Sequence, residues 1–293
     1  MTTPLPLLSV SSLMMQFGGI LALNDVSFGV APNSITALIG PNGAGKTTVF
    51  NCITGFYRAT NGVITLYGRE KDTNIGQIIG EKLSVVDFIQ PKILLRKLYY
   101  KMFGGSHLAA RSGVARTFQN IRLFKDMTSL ENLLVAQHTQ VNRNLLSGLF
   151  KTPSFNRAEQ LALENAYHWL SVCGLADDAN RLAGELPYGH QRRLEIARAM
   201  CTKPTLICLD EPAAGLNPNE TEALSVLIHT LKNDYHVTVL LIEHDMGLVM
   251  SISDHVVVLD HGEVIAMGSP DSVKNDPAVI SAYLGIEEEA ANS

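Results

Sequence analysis

The nine residues GPNGAGKTT, Gly40 to Thr48, combine the residue types that a phosphate-binding loop needs. They fit the spacing G-x-x-x-x-G-K-[ST]. Gly43 and Gly45 tolerate positive φ, so successive backbone N–H groups can turn inward around an anion. A helix starting near Gly45 aims its positive end at the same point. Lys46 reaches toward β- and γ-phosphates, and the Thr47 hydroxyl suits Mg2+. The expected nucleotide contacts are therefore Gly40, Pro41, Asn42, Gly43, Ala44, Gly45, Lys46, Thr47 and Thr48. By itself such a loop specifies a nucleotide, and neither its base nor a reaction.

A second set of groups completes a reaction site. LICLDEP ends an apolar run of strand length on Asp210 and Glu211. A carboxylate at the carboxyl edge of an α/β sheet can hold Mg2+ through water, which assigns Asp210 to the metal together with Thr47. Glu211, one residue on, points elsewhere and is placed to polarise a water as general base. His244 closes another apolar run, VLLIEH, and is expected to hydrogen-bond near the γ-phosphate. Gln119, in RTFQN, is a neutral amide that can touch Mg2+ or the attacking water and still move away.

The elements that must carry these groups are legible as periodic patterns. LLSV, LNDVSFGV, SITALIG and GVITLYG read as strands bounded by Gly, Asn and Pro. Residues 126 to 202 read as mainly helical, with Thr128 or Ser129 as N-caps and a stop at Gly174. From residue 205, TLICLD, VTVLLIE and HVVVLD are apolar runs separated by helical segments, the pattern of buried parallel strands with crossover helices. GEVIAMGSP reads as a late edge strand or hairpin, and EEEAANS as a solvated end.

Composition bounds the rest. The chain has 293 residues, 46% hydrophobic and 17% charged, a globular balance. Its net charge of −5 argues against a dedicated nucleic-acid binder. No run approaches the roughly 20 apolar residues of a membrane span, and the first residues lack a basic segment before an apolar one, so a cytosolic protein is expected. Cys52, Cys173, Cys201 and Cys208 show no metal-binding spacing and read as small buried hydrophobes.

Taken together, these pieces resemble the ATP-binding-cassette (ABC) ATPases over nearly the whole chain. GPNGAGKTT looks like the Walker A loop, LICLDE like the Walker B strand, RTFQN like the Q-loop, AAGLNP like the D-loop and IEHD like the switch histidine. LPYGHQRRLEIARAM is similar to the signature helix, whose usual opening is Leu-Ser-Gly-Gly-Gln. Leu186, Pro187, Tyr188, Gly189 and His190 take those five places. The resemblance implies an α/β P-loop NTPase cassette: a mixed core sheet, an antiparallel β subdomain and an inserted helical subdomain. It implies a nucleotide-binding core with β subdomain at 1–118 and 203–270 and a helical signature subdomain at 119–202. Residues 75–104 are then extra sequence, and 271–293 a C-terminal helical tail.

The same resemblance implies ATP and Mg2+, and two cassettes packed head to tail with the signature of one covering the γ-phosphate of the other. Adenine would stack on an aromatic upstream of the loop, for which Phe17 is the candidate, a core phenylalanine being the competing reading. Pro187 replaces the signature serine, His190 the glutamine and Asn217 the D-loop aspartate. The lost hydroxyl points to two unequal ATP sites.

Longer stretches, among them FGGILALNDVSF and DEPAAGLNPNET, are similar to the longer ATPase subunit of bacterial branched-chain amino acid importers. That implies a second ABC ATPase subunit, in a heterodimer or a homodimer, two membrane permeases, and indirectly a periplasmic binding protein, with no nucleic acid. The location implied is peripheral, on the cytoplasmic side of the inner membrane. Urea or amide uptake, lipopolysaccharide export and soluble cassette proteins stay as alternatives. Near the Q-loop, Ile121, Leu123, Phe124 and Met127 read as core or as a permease-facing row. PKILLRKLYYK carries Lys92, Arg96, Lys97 and Lys101 without an acid, and reads as a solvated excursion, a bilayer contact or a permease contact.

Overall fold

Alternation of apolar and polar residues builds one sheet, and continuous apolar runs build the other. This computed structural model describes residues 5–68, 71–80, 91–139 and 153–283. Strands β1 (Leu8–Phe17) and β2 (Ile20–Val30) form a long antiparallel pair. They join β4 (Asn61–Leu66) and β5 (Thr73–Asn74) in a four-stranded sheet ordered β2-β1-β4-β5. The second sheet contains β3 (Ile35–Ile39), β6 (Val114–Arg116), β7 (Leu206–Asp210), β8 (Thr238–Ile242), β9 (His255–Asp260) and β10 (Glu263–Gly268), in the order β10-β9-β3-β8-β7-β6.

Every residue of β3, β7 and β8 is buried, as strands covered on both faces require. Alternate residues serve two cores. Ile207 and Leu209 of β7 face a core shared with the helices, whereas Leu206 and Cys208 face a core shared with the antiparallel sheet. Five neighbouring strands of this sheet run parallel, so β3, β6, β7, β8 and β9 all end at one edge. Only β10 is antiparallel, turned back on β9 through His261 and Gly262, both at positive φ.

Helix α1 (Lys46–Ile53) follows β3 directly. The stretch between β4 and β6 contains α2 (Ile75–Ile78), α3 (Pro91–Phe103) and α4 (Ser106–Arg111). Between β6 and β7 lie α5 (Ser129–Ala136), α6 (Pro153–Val172) and α7 (Tyr188–Met200). Thr128 caps α5 in a reciprocal box with Glu131, and Gly174 takes φ +66 just past α6. The later crossovers are α8 (Pro218–Asn233) and α9 (Met246–Ile252), followed by α10 (Pro270–Lys274) and a helical stretch at 277–283. Residues 81–90 of the extra stretch and the EEEAANS tail lie outside the described residues.

Candidate active site

The phosphate loop is shaped by what its glycines leave out. Gly40, directly after β3, sits where a Cβ would run into the Leu259 carbonyl of β9. Gly45 caps α1 at φ 100, with Ala22 and Leu23 of β2 filling the space a side chain would need. The hairpin turn after β9 braces the loop further. The Gly262 N–H donates to the Ala44 carbonyl at 3.1 Å, and the Gly262 carbonyl accepts from the Asn24 N–H at 2.8 Å. No side chain caps α1, so its first N–H groups face the loop's concavity. Lys46 Nζ folds onto the loop, donating to the carbonyls of Gly40 at 2.6 Å and Pro41 at 2.8 Å. Burial lowers its pKa below the ordinary lysine value, and the charge of Glu211 opposes that shift. Thr47 is exposed and Thr48 half-buried.

Parallel strands bring the other predicted groups to the same edge. Asp210 ends β7 opposite Ile242, the last residue of β8, and Leu38 of β3 also pairs with Ile242. Glu211 takes φ +47, an uncommon conformation for a non-glycine residue, and its carboxylate has a different partner from that of Asp210. Glu211 Oε2 accepts a hydrogen bond from Gln119 Nε2 at 2.7 Å. His244 follows β8 with its ring exposed, 3.8 Å from Glu243. Phe17 is 42% exposed and meets Tyr57 edge-on at 5.3 Å, so it stands outside the core.

Sequence reasoning missed four buried charged groups. Arg116, on β6, pairs with Asp210 at 2.8 Å and donates to Asn51 at 2.6 Å. Glu243 accepts from the N–H of Ala213 at 2.7 Å and of His244 at 3.2 Å, and burial raises its pKa. It thereby ties the D-loop to the switch histidine. Arg192 and Glu195 of α7 form a fully buried pair at 3.3 Å. The guanidinium of Arg192 donates to the carbonyls of Phe118 at 2.7 Å and Gln119 at 2.8 Å, and to Tyr188 Oη at 3.0 Å. Glu195 receives the N–H groups of Phe118 and Arg122 at 3.4 and 3.3 Å. The Q-loop backbone is thus clamped to the signature helix. Charges three residues apart on a helix read as a solvated face, so only the fold exposes the pair.

The signature residues are placed as follows. Leu186 is buried, and Pro187 is the N-cap of α7. It offers no side-chain hydrogen bond, so the helix opens with its N–H groups uncapped. Tyr188 is 45% exposed. The space above Gly189 is taken by the carboxylate of Glu220 within the same chain. His190 Nδ1 lies 2.8 Å from Asp178. Asn217 caps α8 and forms a reciprocal box with Glu220, a local role in which Asn and Asp are equivalent.

Among the described residues no cluster of three His, Cys, Asp or Glu could hold a metal ion. Thr47, Gln119 and Asp210 offer oxygen donors only, and Asp210 keeps one carboxylate oxygen free of Arg116. A sparse oxygen set suits Mg2+, which takes one or two protein ligands and completes its shell with water and phosphate. Beside the Q-loop, a cleft of about 300 Å3 is lined by Phe56, Ser106, His107, Ala110, Phe118 and Arg198, among others. Of the apolar row near Gln119, Phe124 and Met127 are exposed and Leu123 packs on the core. No helix among the described residues is long and apolar enough to cross a membrane.

Residues 23–214 match the ABC transporter family, and residues 263–289 match a model described as the branched-chain amino acid ATP-binding cassette transporter. The chain is 53% identical over 280 residues to the high-affinity branched-chain amino acid transport ATP-binding protein BraF of Pseudomonas aeruginosa. That alignment covers 96% of this chain and 98% of the relative. It is 51% identical to the corresponding protein LivG of Escherichia coli, with the same coverage. Among solved structures, it resembles the ADP conformation of MJ1267, an ATP-binding cassette of an ABC transporter. That match has a TM-score of 0.72 and 30% identity, covering 96% of this chain and 99% of the other.

Proposed function

Because the chain belongs to the ABC transporter family, we propose that it is the ATP-hydrolysing subunit of a branched-chain amino acid importer, and that Glu211 is its general base. It binds ATP and couples hydrolysis to transport through membrane permeases. The observation that carries the site assignment is the shared edge: Lys46, Gln119, Asp210, Glu211 and His244 stand at the carboxyl ends of parallel strands around one phosphate loop. The nest of N–H groups and Lys46 receive the β- and γ-phosphates, which requires Lys46 to leave the carbonyls it now holds. Phe17 supports adenine. Thr47, Asp210 and Gln119 would hold Mg2+, which when bound would neutralise phosphate charge. Glu211 accepts the proton of the attacking water, with Gln119 and His244 orienting the reacting groups.

The division into a core with β subdomain (1–118 and 203–270), a helical signature subdomain (119–202) and a tail (271–293) belongs to this reading. So do its finer assembly features. A second ABC ATPase subunit packs head to tail so that Leu186 to His190 cover the partner's nucleotide, and the pair sits peripherally on the cytoplasmic side of the inner membrane under two permeases. A periplasmic binding protein delivers the solute, and the amino acid does not touch this chain. The cleft beside the Q-loop supports this reading as a seat for a permease helix.

Glu211→Gln tests the chemistry. The variant is expected to bind ATP normally and to lose at least a hundredfold in turnover, the order of general-base catalysis. Full turnover removes Glu211 from that role. Pro187→Ser tests the unequal sites in the assembled complex. A restored hydroxyl worth about 1.5–3 kcal/mol is expected to raise turnover roughly tenfold or more, and an unchanged rate ends that idea.

A further inference from the structure

Helix α3 has a half-buried apolar side, with Ile93, Leu94 and Tyr100, and a second apolar side. Leu95, Leu98, Tyr99, Met102 and Phe103 of that second side recur at i, i+3, i+4, i+7 and i+8, the spacing that ordinarily faces a core. Here that stripe faces solvent: Leu95 is 67% exposed and Met102 74%. Tyr99 and Phe103 stack within the stripe at 5.3 Å. The helix carries Lys92, Arg96, Lys97 and Lys101 and no acid, in a chain of net charge −5. At about 100° per residue, Arg96 and Lys101 flank opposite edges of the stripe.

We propose that this face docks on the anionic surface of a lipid bilayer. An apolar stripe bordered by cations is what an interfacial helix presents, with aromatic and aliphatic side chains entering the acyl boundary and cations meeting headgroup phosphates. Charge argues against both rival occupants. A second copy would bring Arg96 and Lys101, the cations at the edges of the stripe, against the same cations of its neighbour. The cytoplasmic loops of permeases carry an excess of Lys and Arg, which repels a cationic helix. The direction also fits. Two glycines separate α3 from α4, whose Ser106, His107 and Ala110 line the cleft beside the Q-loop. If that cleft receives a permease, α3 borders the membrane-facing rim. Only this directional argument rests on the proposed function, and the test below does not depend on it.

The purified full chain is floated with vesicles of phosphatidylcholine alone and of phosphatidylcholine with phosphatidylglycerol, at low and high salt. Salt-sensitive binding to the anionic vesicles is expected, with little binding to the neutral ones. Replacing Lys92, Arg96 and Lys101 by Gln is expected to weaken it about fivefold per cation removed. Leu95→Gln with Met102→Gln is expected to abolish it. Both variants should keep wild-type circular dichroism and basal ATPase activity, since they alter exposed residues away from the nucleotide edge. Failure of the wild type to float, equal binding to both vesicle types, or unchanged binding by the variants overturns the proposal. Loss of permease co-purification or of self-association in the Leu95/Met102 variant, without any vesicle binding by the wild type, assigns the stripe to a protein partner and also overturns it.

Discussion

Among the described residues, two arginines are buried against carboxylates, and their remaining donors go to different places. Arg116 joins two adjacent strands of a rigid sheet, holding Asp210 at 2.8 Å and Asn51 of α1 at 2.6 Å. Arg192 has its carboxylate one helical turn away on the same helix, at a longer 3.3 Å, and spends its shorter bonds on the carbonyls of Phe118 and Gln119. Both leave Nε without a partner among the described residues, so neither pair is fully satisfied. The first pair fixes a site carboxylate between elements that cannot move apart. The second neutralises a charge so that a loop can be held by its backbone. What a buried ion pair does is therefore read from its secondary bonds, because desolvation offsets much of the attraction within the pair itself.

The sharpest way to break this comparison is at Arg192. Arg192→Met strands the Glu195 carboxylate, whose pKa burial already raises, and should cost about 3–5 kcal/mol in urea unfolding. Adding Glu195→Met should recover much of that stability. Turnover should stay low in the double variant, because the Q-loop has lost both clamps. Recovery of turnover together with stability would reduce the pair to packing. Arg116→Met should cost less, about 1.5–3 kcal/mol, the range of one charge-assisted hydrogen bond, because Asp210 lies at the sheet edge. It should also lower the Mg2+ concentration needed for half-maximal nucleotide binding, since both Asp210 oxygens become available. A need for more Mg2+ would mean that Arg116 orients the carboxylate instead of competing for it. Smallest is the exposed control at Asn217. Asn217→Ala should lose about 1 kcal/mol of stability, and Asn217→Asp a few tenths at most.

The same contrast separates what the sequence reveals from what it hides. The phosphate loop, the strands of the parallel sheet and the positions of Asp210, Glu211 and His244 are legible because their local pattern is also their structure. The buried runs ending in acids and histidine state where the sheet edge lies. Arg116 and Glu243 are hidden because each is one charged residue at the end of an apolar run, and its partner lies far off in sequence, Asp210 on β7 for Arg116 and the Ala213 N–H in the loop after β7 for Glu243. Arg192 and Glu195 are hidden for the opposite reason: their spacing looks like an exposed salt bridge. The helix in residues 91–103 is legible as basic and apolar, but which way its stripe turns depends on what the rest of the chain leaves uncovered.

One bracing contact bears on how this protein can be shortened. The Gly262 turn holds the phosphate loop by its Ala44 carbonyl, and β9 closes over Gly40. A trimmed chain that ends before the β9–β10 hairpin is complete therefore forfeits more than a tail. It removes the buttress of the nucleotide pocket, and domain swaps in this family should place their junction beyond Gly268.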